Sequence, residues 1–422
     1  MPPRINVRHV GAAMLCLLLC LWGILSAGRM GLSRALKVYA KYGGGMIAAD
    51  KAVQLTPSDA EARFTRALVL GSLGQSSESI SEYERAVALR PQDYYLWLVL
   101  GDAREVAGDF EGALAAYEEA ARLAPFYAQP RWFLGNLLLR AGRYDEAFAE
   151  LRRAGESNPA LMPAIIDLAW GISRQDARTV EQFIQPQTDA ARLSLARFYA
   201  RHAKPSETLN LFRAMNDSLT ESQRRELLND LLAAREYGVA YQVWRSFHPE
   251  INDEGSATGP LMIDGGFEKP LSLNDPGFGW QLARNTPALK FTIDRTEPRE
   301  AAQSLLVDWS GDPSLALAVV SQLVLVQPQT SYRLRFAART GELVTGGLPL
   351  MIVNGADLEG NILGKSKPLP HGTSGWTDYV VEFKTGDETR AVLISLRREP
   401  CANGPCPIFG RLWLDDFSLQ KI

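Results

Sequence analysis

The sequence predicts a multidomain chain with an N-terminal membrane helix, an all-α solenoid and an all-β C-terminal sandwich. Three observations support this fold class. An uncharged apolar run lies near the N-terminus, prolines recur every 34 residues, and the hydrophobic period shortens beyond residue 260 from about 3.6 to about 2. A proline cannot continue a helix, so the fixed step indicates one helical hairpin that is repeated and stacked. The recurring prolines are Pro57, Pro91, Pro125 and Pro159.

Length, charge and hydrophobic content indicate a folded protein of more than one domain. The chain has 422 residues, 45 of them basic and 48 acidic, and 46% of its residues are hydrophobic. This length allows two or three domains with cores of their own, and the hydrophobic content argues against disorder. Because no excess of basic residues is present, nucleic acid is not expected as a partner.

Residues 1–29 predict a single membrane-spanning segment. Arg4 and Arg8 precede the uncharged run 10–28. Nineteen helical residues span about 28 Å, close to the hydrocarbon thickness of a bilayer. A retained signal anchor and a cleaved secretion signal both fit, and the small residues 26–28 leave cleavage open. The apolar run is longer than a usual signal core, which favours the anchor.

Two cysteines indicate the compartment of the remaining chain. Cys401 and Cys406 flank an Asn-Gly-Pro turn, which can bring their Cα atoms within bridging distance. A disulfide there persists only in an oxidising compartment, whereas a two-thiol metal clip would need ligands that the neighbouring sequence lacks. We therefore expect a single-pass protein of the inner (cytoplasmic) membrane, with its body in the periplasm or outside the cell.

Residues 30–250 predict the solenoid. A helix pair over 30–60 leads into clear repeats at about 60–161. Helical periodicity continues through 162–250, but the 34-residue spacing is no longer kept there. End units of a solenoid are expected to diverge, so we assign the last segment to capping repeats. Glycines recur with the same step at the turn inside each hairpin, where a positive φ costs glycine little. These are Gly74, Gly108 and Gly142.

The middle repeat resembles the tetratricopeptide repeat over one full unit. The residues that carry the resemblance are Trp97, Leu100, Gly101, Gly108, Ala113, Tyr117, Ala120 and Pro125. This resemblance implies a groove that binds a protein partner, and in some family members basic and Asn side chains there clamp a terminal carboxylate. Asn136 occupies one such position, but Asp102 takes the equivalent place one repeat earlier and would repel a carboxylate. We expect Arg131, Arg140 and Arg143 to form a solvated face.

A polar linker at 251–260 separates the solenoid from a β domain at 261–422. The β domain contains alternating runs such as 332–336, 379–383 and 391–396, bounded by turns that contain Gly, Pro and Asp. About 160 residues of short strands predict a β-sandwich.

The β domain opens with Asp-Gly-Gly-Phe-Glu at 264–268 and closes with Leu-Asp-Asp-Phe-Ser-Leu at 414–419. This pair resembles the jelly-roll sandwiches of the carbohydrate-binding-module and galactose-binding-like class. In many relatives the two motifs hold a structural calcium, which would here involve Glu268 with Asp415 or Asp416. The alternative is that Glu268 caps a turn and the aspartates end an edge strand.

Aromatic residues of the β domain are the candidate sugar contacts, because sugars stack their C–H faces on exposed rings. Trp280 and Trp309 lie beside turns, where exposure is expected. Trp376 and Trp413 lie in strand-like runs, and we expect both to point into the core. The full candidate set is Phe278, Trp280, Trp309, Tyr379 and Phe409.

The sequence contains no nucleophile elbow, phosphate loop or opposed acid pair, so no catalytic residue is assigned. The leading hypothesis is a non-enzymatic, membrane-tethered scaffold that binds a protein through the repeats and a glycan through the sandwich. By resemblance, such a pairing suits assembly or export of a bacterial surface polysaccharide. The alternatives are a protein–protein adaptor with a structural sandwich, and a carbohydrate-active enzyme.

Overall fold

The computed structural model describes residues 7–215, 218–249, 261–269, 276–311, 318–357, 361–401 and 405–422. The chain forms two compact units, Met1–Gln185 and Pro186–Ile422. An apolar N-terminal helix is followed by helical hairpins and then by two antiparallel sheets, which confirms the predicted fold class. The predicted linker 251–260 lies outside the described residues.

The N-terminal helix α1 (Val7–Tyr39) is long and apolar enough to cross a membrane. The helix continues past the apolar run. A π-helical turn at Ala40–Gly44 joins it to α2 (Gly45–Leu55), and the last turns of α1 pack against α2. The hydroxyls of Ser33 and Thr56 lie 2.7 Å apart. The helix pair predicted over 30–60 is therefore present, and its first helix is an uninterrupted extension of the apolar one.

Three hairpins follow at the 34-residue step, each with a first and a second helix. Asp59 and Asp93 cap the first helices of two hairpins by accepting from the backbone N–H groups of Glu61 and Tyr95. The helices are α3 (Ala60–Ser72), α4 (Ser76–Leu89), α5 (Tyr94–Val106), α6 (Phe110–Leu123), α7 (Ala128–Arg140) and α8 (Tyr144–Ser157).

The second and third hairpins each depend on a glycine that faces a large residue. A Cβ on Gly101 would lie 2.5 Å from Tyr117 Cε1, and a Cβ on Gly135 would lie 2.7 Å from Leu151 Cγ. Tyr117 and Leu151 are fully buried. The paired helices can approach this closely only because glycine has no side chain, which explains why the motif specifies glycine there.

The first hairpin replaces large apolar residues with an ion cluster. Arg63 stands where Trp97 stands one repeat later, and both donate to the proline carbonyl six residues upstream, Pro57 O at 3.4 Å and Pro91 O at 2.9 Å. Glu82 is buried and pairs with three arginines: Arg63, Arg66 and Arg85. The guanidinium groups satisfy both the turn carbonyl and the buried carboxylate, so this sequence departure preserves the hairpin.

The strict step ends at Pro159, which begins a 3₁₀ turn (Pro159–Leu161). The helices that follow, α9 (Met162–Ile172) and α10 (Ala177–Ile184), are shorter than those of the clear repeats. Phe183 stacks on Phe148 with ring centroids 4.4 Å apart, which covers the end of the last clear hairpin. This diverged hairpin caps the unit, as expected for the end of a solenoid.

The second unit begins with four more helices that share a core with the β domain. The Trp244 and Phe278 rings lie 5.9 Å apart, and Tyr237 donates its hydroxyl to Ala356 O at 2.9 Å. The division predicted at 251–260 therefore differs from the structural one, which places residues 186–249 with the sandwich. The helices are α11 (Asp189–Arg201), α12 (Pro205–Arg213), α13 (Glu221–Ala233) and α14 (Tyr237–Arg245).

The β domain consists of two five-stranded antiparallel sheets, with strand orders 1-4-9-6-7 and 2-3-10-5-8. Inward-facing aliphatic and aromatic side chains from both sheets form one core cluster. The strands are β1 (Gln281–Leu282), β2 (Leu289–Asp294), β3 (Ser304–Gly311), β4 (Val320–Leu325), β5 (Ser331–Thr345), β6 (Pro349–Gly355), β7 (Ile362–Lys365), β8 (Thr377–Lys384), β9 (Ala391–Arg398) and β10 (Ile408–Lys421).

Replacing Gly101 with alanine tests the close packing of the repeats. We expect Gly101→Ala to destabilise the repeats by about 1–3 kcal/mol, because the new methyl group would overlap the Tyr117 ring. Gly171→Ala is the matched control, since no atom lies within 4 Å of its Cβ position. That control should be neutral or stabilising by up to about 1 kcal/mol. Thermal unfolding of the full chain, followed by circular dichroism at the helix band, checks both; equal losses would contradict the packing account.

Candidate functional site

The first helices of the clear repeats form one continuous surface, which we call the groove face. The ring of Phe64 on α3 lies 6.0 Å from that of Tyr95 on α5 and 5.9 Å from that of Tyr83. Farther along, the ring of Tyr117 lies 5.7 Å from that of Phe133 on α7. Tyr95 is 44% exposed, so this surface offers aromatic contact area to a ligand.

An acidic pair lies on α5 in the middle of the groove face. Asp102 and Glu105 are three residues apart, which places them on the same side of the helix. Burial raises the pKa of Asp102, and the neighbouring Glu105 carboxylate raises it further. Asp102 forms no ion pair with any residue in the described part of the chain, whereas Glu105 has two partners.

Glu105 connects the acidic pair to the core and to the next repeat. It accepts a hydrogen bond from the hydroxyl of buried Tyr117 at 3.0 Å and forms an ion pair with Arg140. Burial, then Glu105 and Asp102, raises the pKa of Tyr117. The pKa of Tyr83 is also raised, to about 12, chiefly by burial and then by the neighbouring Asp102 and Tyr95. The groove face therefore carries negative potential around Asp102.

Asp102 was among the residues expected on this surface, but Glu105 and its contacts were not. The three-residue spacing on a predicted helix was the available signal for the pair. The Tyr117 hydrogen bond and the Arg140 ion pair join different helices, and no local pattern predicts which side chains will meet across them.

The arginines near this surface are engaged within the protein. Arg131 pairs with Glu150 at 2.6 Å, Arg143 pairs with Glu146 at 2.6 Å, and Arg140 pairs with Glu105. Asn136 donates to the backbone carbonyl of Trp132 at 2.8 Å. Arg140 and Arg143 are solvated as expected, whereas Arg131 is mostly buried with Glu150. None of these contacts supports a carboxylate clamp.

The structure buries three of the five aromatic residues proposed as sugar contacts, which corrects the expected exposure of Trp280 and Trp309. Phe278, Trp280 and Trp309 are only 1%, 5% and 2% exposed. Trp309 alternates inward with Val307 on β3, so its position beside the following turn is irrelevant. Trp280 lies between the rings of Phe267 and Phe417, each 4.8 Å away.

Phe278 is buried for a different reason, because it joins the core shared with the preceding helices. Its neighbour Gly277 has a φ of +130°, and a Cβ there would lie 2.4 Å from Trp244 Cδ1. Only glycine allows the backbone to approach the indole this closely. The Gly-rich segment that suggested an exposed loop is instead a contact with α14.

Tyr379 and Phe409 are the two candidates that retain accessible surface. Tyr379 is half-buried and stacks on Phe336 with centroids 5.1 Å apart. Phe409 is 48% exposed and lies opposite Val344, which is 63% exposed, in the β10–β5 pair. Phe409 and Val344 therefore form a small exposed apolar pair.

Trp376 and Trp413 were both expected to be buried, and only Trp413 is. Trp376 is half-buried ahead of β8. Trp413 is buried on the other face of its sheet, because Leu412 and Leu414 on either side point into the core. The Arg339 guanidinium covers its ring at 4.6 Å, and its Nε1 donates to Asp294 Oδ2 at 2.6 Å.

The opening and closing motifs of the β domain do meet, as the resemblance implies. Gly266 lies between Glu268 and Asp415, since its Cβ position is 3.6 Å from Glu268 Cγ and 3.7 Å from Asp415 Oδ1. Asp416 is only half-buried. All three lie on or beside β10, which is the central strand of its sheet, so the edge-strand alternative for the aspartates is wrong.

Backbone N–H groups surround both carboxylates. Glu268 Oε1 accepts from Ala302 N and Gln303 N, each at 3.1 Å. Asp415 Oδ2 accepts from Arg299 N at 3.1 Å, and Oδ1 accepts from its neighbour Asp416 N at 2.7 Å. Burial raises the pKa of Asp415 despite these hydrogen bonds, and Asp416 raises it further.

The carboxylates thus connect separate loops by accepting hydrogen bonds from their backbone N–H groups, and this role needs no cation. Within the described residues no group of three or more His, Cys, Asp or Glu side chains is arranged to hold a metal. Calcium at this place therefore stays a prediction from the resemblance.

Cys401 and Cys406 form the expected disulfide, with Cα atoms 5.7 Å apart. Its sulfurs lie against the β5–β6 turn, where a Cβ on Gly346 would be 2.9 Å from Cys401 Sγ. Buried Arg398 donates to Cys406 O at 2.7 Å and to Thr345 Oγ1 at 2.9 Å, which ties the bridge to the sheet. The remaining cysteines, Cys16 and Cys20, are free and exposed on α1.

Comparison with known proteins supports the assignment of the repeats. Residues 64–128 and 98–160 match a model of the tetratricopeptide repeat family. The repeats thereby imply a protein-binding scaffold or adaptor. The β domain has no counterpart in this match.

Two relatives align with a short part of the chain. The protein O-mannosyl-transferase TMTC1 of Mus musculus is 33% identical over 88 residues, which are 20% of this chain and 9% of that protein. The peroxisomal targeting signal receptor of Candida albicans is 31% identical over 104 residues, 24% of this chain and 18% of that protein. The alignment with the transferase covers tetratricopeptide repeats only.

Solved structures resemble the helical part weakly. MamA is 21% identical, with a TM-score of 0.29, over 32% of this chain and 79% of that one. PilF of Pseudomonas aeruginosa is 18% identical, with a TM-score of 0.33, over 45% of this chain and 93% of that one.

Substitution of Glu268 distinguishes a connection between loops from a calcium ligand. We expect Glu268→Ala to lower the stability of the β domain by about 1–3 kcal/mol, because it leaves two backbone N–H groups without an acceptor. Glu268→Gln retains a carbonyl acceptor and should lose less. Both effects should be the same in EDTA and in millimolar calcium, as measured by thermal unfolding of the full chain. Calcium stabilisation of the wild type that Glu268→Gln abolishes would instead establish the ion site.

Proposed function

We propose that this protein is a non-enzymatic, membrane-tethered adaptor whose tetratricopeptide repeats bind a protein segment outside the cytoplasm. The family match at 64–160 supports protein binding, and the single observation that specifies the ligand is the acidic pair on the groove face.

The tether in this proposal is α1. The large apolar side chains between Met14 and Leu25 are exposed, whereas the described side chains of this helix that are buried, Ser33 and Lys37, lie toward its C-terminal end. Such a surface is stable in a bilayer and unfavourable in water. Export of the body is supported by the Cys401–Cys406 disulfide, since reducing compartments keep thiols reduced.

The groove ligand in this proposal carries a lysine or arginine side chain. Asp102 lies beside Glu105 and, on the same helix α5, two turns after the exposed Tyr95, in a surface that combines aromatic area with negative charge. A cationic side chain with an aliphatic stem suits both features, because its stem packs on rings while its head meets the carboxylate. A terminal carboxylate would be repelled at the same place.

A structural sandwich is favoured over a glycan-binding one. Burial of Phe278, Trp280 and Trp309 removes three of the five candidate sugar contacts. A glycan site would rest on Phe409 and Tyr379, and a role in surface polysaccharide assembly or export would rest on that site. We therefore place the protein–protein adaptor first and the glycan-binding scaffold second.

Selection from a random-peptide display library tests the groove ligand directly. The full chain in lipid nanodiscs should enrich peptides that contain lysine or arginine. Asp102→Asn should bind the selected peptides about 10- to 100-fold more weakly, since a charged hydrogen bond contributes about 1.5–3 kcal/mol.

Glu118→Gln is the matched control, because Glu118 is an exposed carboxylate on the second helix α6 of the same repeat. It should leave binding unchanged. Equal binding by Asp102→Asn and the wild type, or selection of acidic peptides with free C-termini, would overturn the assignment.

A further inference from the structure

The turns between successive hairpins of the first unit lie in one row that begins at α1. Ser33 on α1 contacts Thr56 in the first turn at 2.7 Å, and Lys37 donates to Asp59 in the same turn at 2.8 Å. Arg90 in the next turn reaches Asp59 at 3.8 Å. Tyr94, which ends that turn, lies 5.2 Å from the ring of Tyr127 in the third turn. Direct contacts therefore connect the apolar helix to the turn 124–127.

The third turn of this row exposes two large aromatic side chains. Phe126 is 88% exposed and Tyr127 is 58% exposed. Exposed aromatic rings of this size are costly in water, and Phe and Tyr at a turn tip add nothing to the hairpin core. The equivalent tips one and two repeats earlier carry polar residues, Gln92 and Ser58. The aromatic pair is thus a local feature that the repeat itself does not require.

The distance along α1 places this row at the membrane surface. The apolar run ends at Gly28, and Ser33 follows five residues later. At 1.5 Å per residue, Ser33 and the first turn lie about 8 Å beyond the hydrocarbon, at the outer boundary of the headgroup layer. α1 continues without a break from the apolar run to Ser33, so the row is held near this level by the helix itself.

We propose that the turn 124–127 is a second membrane contact, in which Phe126 and Tyr127 enter the headgroup region of the bilayer that α1 spans. This proposal rests on the proposed anchor. Aromatic side chains are favoured at the membrane–water interface, where an apolar ring and a polar edge are both satisfied. Two contacts, one at each end of the row, would hold the repeats in a fixed orientation above the lipid and leave the groove face open to a partner.

The turn between α1 and α2, at the far end of these two helices from the row of turns, supplies an internal comparison. Tyr42, in the π-helical turn, is 86% exposed, as Phe126 is. It follows Gly28 by 14 residues, which puts it about 20 Å outside the hydrocarbon if the helical rise is extended to it. Tyr42 and Phe126 are both exposed aromatic residues, so the difference between them that matters here is their distance from the membrane.

Spin-label accessibility in liposomes tests the proposal. Three proteins with one free cysteine each are needed, all as the full chain with the Cys401–Cys406 bridge intact: Cys16→Ser, which retains Cys20; Cys16→Ser/Cys20→Ser/Phe126→Cys; and Cys16→Ser/Cys20→Ser/Tyr42→Cys. Collision of a nitroxide label with oxygen, which concentrates in lipid, is compared with its collision with a water-soluble nickel complex. Because Phe126 and Tyr42 are exposed, their replacement should leave the fold intact.

We expect the label at position 126 to shift toward oxygen collisions relative to the label at 42, and the label at 20 to show the largest shift. A deep label at 20 with equally aqueous labels at 126 and 42 would overturn the second contact and leave the anchor in place. An aqueous label at 20 would overturn the anchor, and the second contact with it.

Discussion

The close approach of paired helices is the constraint on which the first unit depends. Gly101 against Tyr117 and Gly135 against Leu151 set the spacing inside a hairpin, and the step of 34 residues repeats that spacing. Once it is fixed, the first helices must lie side by side and the turns between hairpins must fall in a row. The groove face and the membrane-proximal row are both consequences of this packing, and each needs few residues of its own.

The two surfaces have different chemistry because they have different surroundings. On the groove face, Asp102 has no ion-pair partner among the described residues, while its neighbour Glu105 is engaged by Tyr117 and Arg140. Along the row of turns, the charges are paired near α1, through Lys37, Asp59 and Arg90, and aromatic rings stand at the far end. An acidic surface for a partner and an aromatic tip toward lipid are compatible with one rigid helical stack.

The sequence predicted the features that depend on local spacing and failed where distant segments meet. The proline and glycine steps gave the hairpins, and the Cys401–Cys406 spacing gave the disulfide. The prediction that Trp280 and Trp309 are exposed was wrong, because nearness to a turn does not determine which face of a sheet a residue occupies. The change from helices to strands falls around 251–260 as expected, but the boundary between compact units lies at 185/186. Trp244 and Phe278, which join residues 186–249 to the sandwich, lie in segments that look separate along the chain. The three-residue spacing from Asp102 could have predicted Glu105 on the same side of the helix, but not its partners Tyr117 and Arg140 on other helices.

The redox state of Cys401 and Cys406 in living cells tests the central claim, that α1 tethers an exported body. Intact bacterial cells that express the full chain with Cys16→Ser and Cys20→Ser are acid-quenched, denatured and treated with a maleimide-polymer reagent, with and without prior reduction. We expect no labelling before reduction and two labels after it, because the bridge forms in an oxidising compartment. Two labels without reduction would place the body in the cytoplasm and contradict the claim.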